Sequence, residues 1–171
     1  MPEDEMVVTP WEVRGKVDYD RLIEEFGTQR IDEKLRDQIY RITGEKHFML
    51  ERELVYSHRD VDWLLREYAK GNSFVIYTGR GPSGQVHLGH LVPWMFTKWL
   101  QDKFRVRLYF QLTNDEKFWF DDELSYDDVH RFTRENAIDL LALGFDPETT
   151  YLIDDIRHID ILYELAVQVA K

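Results

Sequence analysis

Two histidines flank a glycine at the close of the segment Tyr77-Thr-Gly-Arg-Gly-Pro-Ser-Gly-Gln-Val-His-Leu-Gly-His90. An imidazole can donate or accept a hydrogen bond near neutral pH, so His87 and His90 are suited to meeting developing charge. Glycines at 79, 81 and 84 let backbone approach a ligand closely. A helix opening just beyond them offers unpaired amides and the positive end of its dipole, a natural seat for phosphate. In the plainer reading, His87 and His90 are only a polar helix start.

Four motifs compete for this segment. Gly79 and Gly84 have P-loop spacing, but Gln85-Val86 stands where Lys-Ser/Thr must reach phosphate and magnesium, so the P-loop fails. Gly79-Arg-Gly81-Pro-Ser-Gly84 matches the dinucleotide fingerprint literally. Pro82 is awkward in that tight turn, and the acidic residue at the right distance, Asp102, falls within the following helix; a dinucleotide-binding module stays as a minor alternative. His87 and His90 share a helix face, but two ligands without a cysteine or a third nearby histidine do not make a zinc site, and no metal is expected. The fourth motif is His-x-Gly-His itself.

These residues need a scaffold, and the hydrophobic pattern supplies one. Ser73 to Tyr77 reads as a buried strand, Gly79 to Gly84 as a loop, Leu88 to Phe104 as an amphipathic helix and Arg107 to Leu112 as a second strand. A strand, helix, strand run of this length points to a right-handed crossover between parallel strands. Tyr126 to Leu143 reads as a helix stopped by Gly144, Thr150 to Ile153 as a strand and Ile156 to Ala170 as a last helix. The fold class is therefore α/β, a partial Rossmann-like parallel sheet with crossover helices. It is preceded by a mostly helical amino-terminal extension: Asp18 to Phe26, Asp32 to Ile42 and Ser57 to Lys70 read as helices. The texture changes at Gly71-Asn72, giving an extension over 1–71 and an incomplete Rossmann-like domain over 72–171. His58 reads as a surface or capping residue.

Composition narrows the class. The chain has 171 residues, 43% apolar and 32% charged, which suits a folded domain rather than a disordered one. A net charge of −11 repels RNA phosphates and anionic membranes, so any nucleic-acid contact must be local. The more basic stretch Lys98 to Arg107 is too sparse for a backbone-binding stripe. There is no cysteine, Met1 to Asp4 is acidic and lacks an apolar leader, and no apolar run approaches membrane-spanning length. A cytoplasmic protein without membrane association is expected. Asp121-Asp-Glu123 with Asp127-Asp128 reads as acidic residues around a helix start rather than a cation site.

His-x-Gly-His after a glycine-rich loop resembles the signature of class I aminoacyl-tRNA synthetases. The likeness extends over nearly the whole chain to the tryptophanyl-tRNA synthetases of archaea and eukaryotes. It is carried by Thr9-Pro-Trp-Glu-Val, Asp18-Tyr-Asp-Arg-Leu-Ile-Glu-Glu-Phe-Gly, Phe48 to Asp60, Tyr77 to Pro82, Phe96-Thr-Lys-Trp-Leu-Gln-Asp102 and Gln111-Leu-Thr-Asn-Asp-Glu-Lys117. The resemblance implies activation of L-tryptophan with ATP and Mg2+, then transfer to tRNA(Trp). It implies that His87 and His90 are catalytic and that Thr78, Gly79, Arg80, Gly81, Pro82, His87, Gly89 and His90 bind ATP. Arg80 would contact phosphate or carboxylate, and Lys117 is a weaker candidate. Tyr77, Gln111 and Glu116 would bind tryptophan, the first two through acceptors for the indole N–H and Glu116 at the substrate ammonium. Phe118-Trp-Phe120 is expected in the core.

Members of that family carry a second, K-M-S-K-S-type signature and a helical anticodon-binding domain, neither of which this chain contains. It is expected to be a fragment, either an enzyme segment completed by other chain or a catalytically silent nucleotide-binding or association piece. The family is homodimeric, and Trp94, Phe96 and Trp99 of the crossover helix are expected either at such an interface or in the core.

Overall fold

The computed structural model describes residues 7–8, 13–15 and 17–171. Met1 to Asp4 and residues 9–12 of the matched block lie outside them. The chain divides into two compact units, Met1–Gly71 and Asn72–Lys171.

In the first unit, β1 (Val7–Val8) pairs antiparallel with β2 (Val13–Arg14). Helix α1 (Tyr19–Glu25) starts where Asp18 Oδ1 accepts the amides of Asp20 and Arg21, each at 3.1 Å. After β3 (Gln29–Arg30), Asp32 caps α2 (Glu33–Thr43) by accepting from Leu35 N at 2.7 Å. Gly44 closes α2 at φ 69°, a left-handed conformation that glycine adopts without a Cβ penalty. The short α3 (Phe48–Glu51) and β4 (Ser57–His58) precede α4 (Val61–Ala69). The apolar faces of these helices bury Leu22, Leu35, Ile39, Leu50 and Leu65.

The helix expected over Ser57 to Lys70 is thus shorter. Ser57 and His58 pair antiparallel with Arg30 and Gln29, and the helix begins only at Val61. His58 is buried, not on the surface, and its Nδ1 accepts from Val61 N at 3.2 Å. A local periodicity rule cannot see a ladder partner that lies far back in the chain.

The second unit is an α/β layer built on a three-stranded parallel sheet, β5 (Val75–Arg80), β6 (Arg107–Leu112) and β7 (Thr150–Asp154), in the order β5-β6-β7. α5 (Leu88–Phe104) joins the first pair; α6 (Asn114–Phe120) and α7 (Tyr126–Ala142) join the second. α8 (Ile159–Ala170) follows β7. Register sets Gly79 opposite Gln111 and Gln111 opposite Ile153. Leu108, Phe110 and Leu112 of β6 pack with Trp94 of α5 and Leu140 of α7, so the central strand carries the core. This is the Rossmann-like arrangement, and it brings the carboxyl ends of three strands side by side.

Two expectations change here, and a choice between two others is made. β5 is an edge strand with Val75 and Tyr77 exposed, because no strand among the described residues pairs with its outer side. Phe118, Trp119 and Phe120 are exposed rather than core, since α6 follows β6 at the rim of the sheet. Trp94 and Trp99 are buried, the core placement that was one of the two expected for them, and Phe96 is half-buried; Leu88, Val92 and Met95 are exposed apolar residues of α5. Asp121 and Asp128 accept the amides of Glu123 and Ser125, so these carboxylates cap backbone turns. No helix among the described residues is long and apolar enough to cross a membrane.

Candidate active site

The site begins at the carboxyl end of β5. Gly79 lies so close to β6 that a Cβ there would sit 2.6 Å from the Gln111 carbonyl oxygen, which is why a side chain is excluded. The ladder continues past the strand end, with Thr113 N donating to Arg80 O at 3.0 Å. Pro82 is buried, so it can serve a ligand only by fixing the loop that follows.

Arg80 does more of that fixing. Its Nη2 donates to the carbonyls of Gly84 at 3.1 Å and Gln85 at 3.3 Å, and its Nε donates to Asn136 Oδ1. Asn136, fully buried on α7, returns a hydrogen bond from Nδ2 to Gly84 O at 2.9 Å. Burial pushes the Arg80 guanidinium below its ordinary value, with Asp139 opposing the shift. The fork expected to meet phosphate therefore holds the loop's own carbonyls.

The loop delivers two imidazoles to the start of α5. His87 Nδ1 accepts from Gly89 N, and His90 Nδ1 accepts from His87 N, both at 3.2 Å, closing a reciprocal capping box. A ring nitrogen that accepts an N–H carries no proton, so each neutral imidazole has its proton on Nε2 and presents a donor there. Burial lowers the His90 pKa, helped by the positive charge of Arg80 and by His87, which favours the neutral ring. The ring centroids are 3.7 Å apart. Gly89 fits under the His87 ring, where a Cβ would lie 3.0 Å from Cε1.

The imidazoles line a cleft of about 580 Å³ together with Gly79, Gly81, Gly84 and Lys117. The Lys117 side chain lies over Gly81, where a Cβ would meet its Cε at 2.0 Å. This cleft is lined by glycine backbone, by the two imidazoles at the start of α5 and by a lysine that lies over Gly81. Such a set can orient an anion and stabilise charge that builds on it, with no nucleophile required.

Beside it lies a second polar constellation. The Tyr77 hydroxyl donates to Gln111 Oε1 across the β5–β6 pair. Gln111 Nε2 donates to both carboxyl oxygens of Asp155, at 2.8 and 2.7 Å. Asp155 is 6% exposed, and burial pushes its pKa up; the Gln111 hydrogen bond opposes this, while Asp115 and Asp154 reinforce it. Asn114, fully buried, donates to Asp154 Oδ1 at 2.8 Å and accepts from Ile156 N at 3.1 Å, tying the start of α6 to the end of β7.

Of the residues singled out in the sequence, the fold brings Tyr77 to Gln111 and places Gly79, Arg80, Gly81, His87, Gly89 and His90 around one cleft. Thr78, half-buried within β5, pairs in register with Phe110 and does not line that cleft. Glu116, in the first turn of α6, is hydrogen-bonded to neither Tyr77 nor Gln111; its carboxylate lies 3.8 Å from Lys117 Nζ. Asn136 and Asp155 were not legible beforehand. The one hint was a pair of carboxylates, Asp154-Asp155, just where a strand leaves the sheet.

Residues 69–167 match the family described as tRNA synthetases class I (W and Y). The chain is 46% identical over 168 residues to the tryptophan–tRNA ligase of Saccharolobus solfataricus, covering 98% of this chain and 44% of that protein. It is 48% identical to the ligase of Sulfolobus acidocaldarius with the same two coverages, 98% and 44%. Among solved structures, the tryptophanyl-tRNA synthetase of Trypanosoma brucei superposes with a TM-score of 0.83 at 46% identity, covering 89% of this chain and 46% of that one. The chain thus spans less than half the length of the relatives it matches.

Proposed function

This chain belongs to the class I tRNA synthetases of the W and Y type, and on that footing we propose that it carries the ATP- and tryptophan-binding portion of a tryptophan–tRNA ligase. In the reaction, a carboxylate oxygen of L-tryptophan attacks the α-phosphorus of ATP. The bond from that phosphorus to the pyrophosphate bridging oxygen breaks, leaving tryptophanyl-adenylate and pyrophosphate. The tryptophanyl group then passes to tRNA(Trp). Magnesium enters with ATP as part of the substrate.

The observation that carries this reading is the reciprocal cap between His87 and His90, which leaves both rings with an N–H donor in one cleft. Donors fixed before the reaction stabilise charge on the phosphates without reorganising, an effect of about 3–4 kcal/mol for one such group in comparable sites. Gly79, Gly81 and Gly89 keep the walls open to the nucleotide, Thr78 lies in the strand that leads to them, and Arg80 and Pro82 shape the loop. Lys117 balances phosphate charge. Tyr77 and Gln111 form the polar end of a pocket for the indole, and Glu116 meets the substrate ammonium. The homodimer that the resemblance implies belongs to this reading without a surface assigned to it.

A second reading, a silent association segment, draws on α8, whose Ile161, Tyr163, Leu165 and Val167 are all exposed. Tryptophan-dependent exchange of labelled pyrophosphate into ATP separates the two, with His87→Ala/His90→Ala and tyrosine as controls. Exchange that the double variant abolishes supports the ligase reading. If the chain shows none, even when supplied with the carboxyl-terminal portion of a relative, the association reading takes its place.

A further inference from the structure

The carboxyl of Asp155 is buried at the end of β7, with both its oxygens facing one amide nitrogen, Gln111 Nε2, at 2.8 and 2.7 Å. An ionised carboxylate only accepts hydrogen bonds, so it admits one orientation of that carboxamide: nitrogen toward Asp155, oxygen toward Tyr77. A tyrosine hydroxyl imposes no such choice, because it donates and accepts equally well. Without Asp155 the Gln111 amide can turn over, and the Tyr77 hydroxyl can reverse with it.

We propose that Asp155 is a specificity-determining positioning residue, which fixes the Gln111 amide so that the Tyr77 proton is committed to Gln111 Oε1. The Tyr77 oxygen then has only lone pairs left for a ligand. Tyr77 is 64% exposed, so those lone pairs remain open to a ligand ring. A site that offers an acceptor selects a ring bearing an N–H and leaves a polar atom unpaired against a ring of the same shape without one. Asp155 acts through Gln111 and Tyr77 and need not touch the substrate. The inference rests on the tryptophan reading of this pocket.

The test compares L-tryptophan with β-(3-benzothienyl)-L-alanine, in which sulfur replaces the indole N–H at nearly constant shape. Binding of each to the 171-residue chain is measured by calorimetry for the parent, Asp155→Asn and Asp155→Glu. The ratio of two affinities on one protein sample cancels any loss of folded fraction, so a merely structural role leaves it unchanged. The parent is expected to prefer the indole by roughly tenfold to a hundredfold. Asp155→Asn, which can either accept or donate, is expected to bring that preference to within about threefold, and Asp155→Glu to restore part of it. An unchanged preference in Asp155→Asn overturns the inference and leaves the pocket reading intact. A parent chain that binds neither ligand, or binds both equally, overturns the pocket reading and the inference together.

Discussion

Arg80 and Asn136 hold the same atom. The carbonyl oxygen of Gly84 accepts from Arg80 Nη2 at 3.1 Å and from Asn136 Nδ2 at 2.9 Å, and the two side chains are hydrogen-bonded to each other. A strand-end arginine and a helix asparagine thereby clamp the loop that carries the imidazoles. Asn136→Ala leaves Arg80 Nε and Gly84 O short of buried partners and is expected to destabilise the chain by about 1–3 kcal/mol. Arg80→Lys keeps the charge but loses the planar fork, so it is expected to behave like the Asn136 variant. Urea denaturation gives the stability, and amide hydrogen exchange at Ser83 to Val86 shows whether the loss lies in the loop.

Close approach of two strands gives a paired prediction in glycines. Gly79→Ala places a methyl 2.6 Å from a backbone oxygen that cannot swing aside, whereas nothing lies within 4 Å of a Cβ at Gly84. The first is expected to cost about 1–3 kcal/mol by forcing β5 from β6. The second is expected to stay within about 0.5 kcal/mol. Equal effects in thermal denaturation argue against the strand contact.

The capping box makes the start of α5 sensitive to acid. Burial, Arg80 and His87 hold the His90 pKa below its ordinary 6.5, so the stability that neutral His90 contributes is present above 6.5 and is lost as pH falls through the lower folded value. Once protonated, His90 Nδ1–H faces the His87 N–H and the cap opens. Histidine ¹⁵N spectra are expected to show the Nε2–H tautomer for both rings at neutral pH. An Nδ1–H tautomer at either ring contradicts the box.

Asp155 titrates with the opposite sign. Its folded pKa lies above the ordinary 3.8 because of burial, with Asp115 and Asp154 adding to the rise, so the stability tied to its proton is present below 3.8 and is lost as pH rises through the folded value. Asp155→Asn cannot ionise. Its melting temperature is expected to vary less between about pH 4 and pH 7 than that of the parent. Parallel curves mean that the carboxyl titrates as it would in the unfolded chain.

Burial separates two tryptophans that look alike in sequence. Trp94 is 2% exposed against Phe110, and Trp119 is 72% exposed on α6. Trp94→Ala is expected to cost about 3–5 kcal/mol as a core truncation. Trp119→Ala is expected to cost less than about 0.5 kcal/mol. A large loss at Trp119 in chemical denaturation means that the ring is packed after all.

What the sequence disclosed, and what it hid, follows from the range of the forces involved. The limits of α5 and β6 agree with those read from periodicity and caps, because those signals lie within each element. The stretch that lines the candidate cleft was legible for the same reason: Gly79 to His90 is continuous. Asn136 reaches Gly84 across 52 residues and Asp155 reaches Gln111 across 44, and no local pattern marks either pairing. Phe118 to Phe120 misled because aromatic rings favour a core on average, while their place at the sheet rim is set by where β6 ends.

The imidazoles that line the cleft are also the groups that cap the start of α5, so the fold and the proposed chemistry draw on one set of atoms. Serine at position 87 can cap a helix but offers no ring donor; a residue that donates without accepting leaves the helix start open. Change at either position on this scaffold is therefore confined to residues that can still accept a backbone N–H. A substitute that lacks such an acceptor requires a second helix-start signal supplied from elsewhere in the loop.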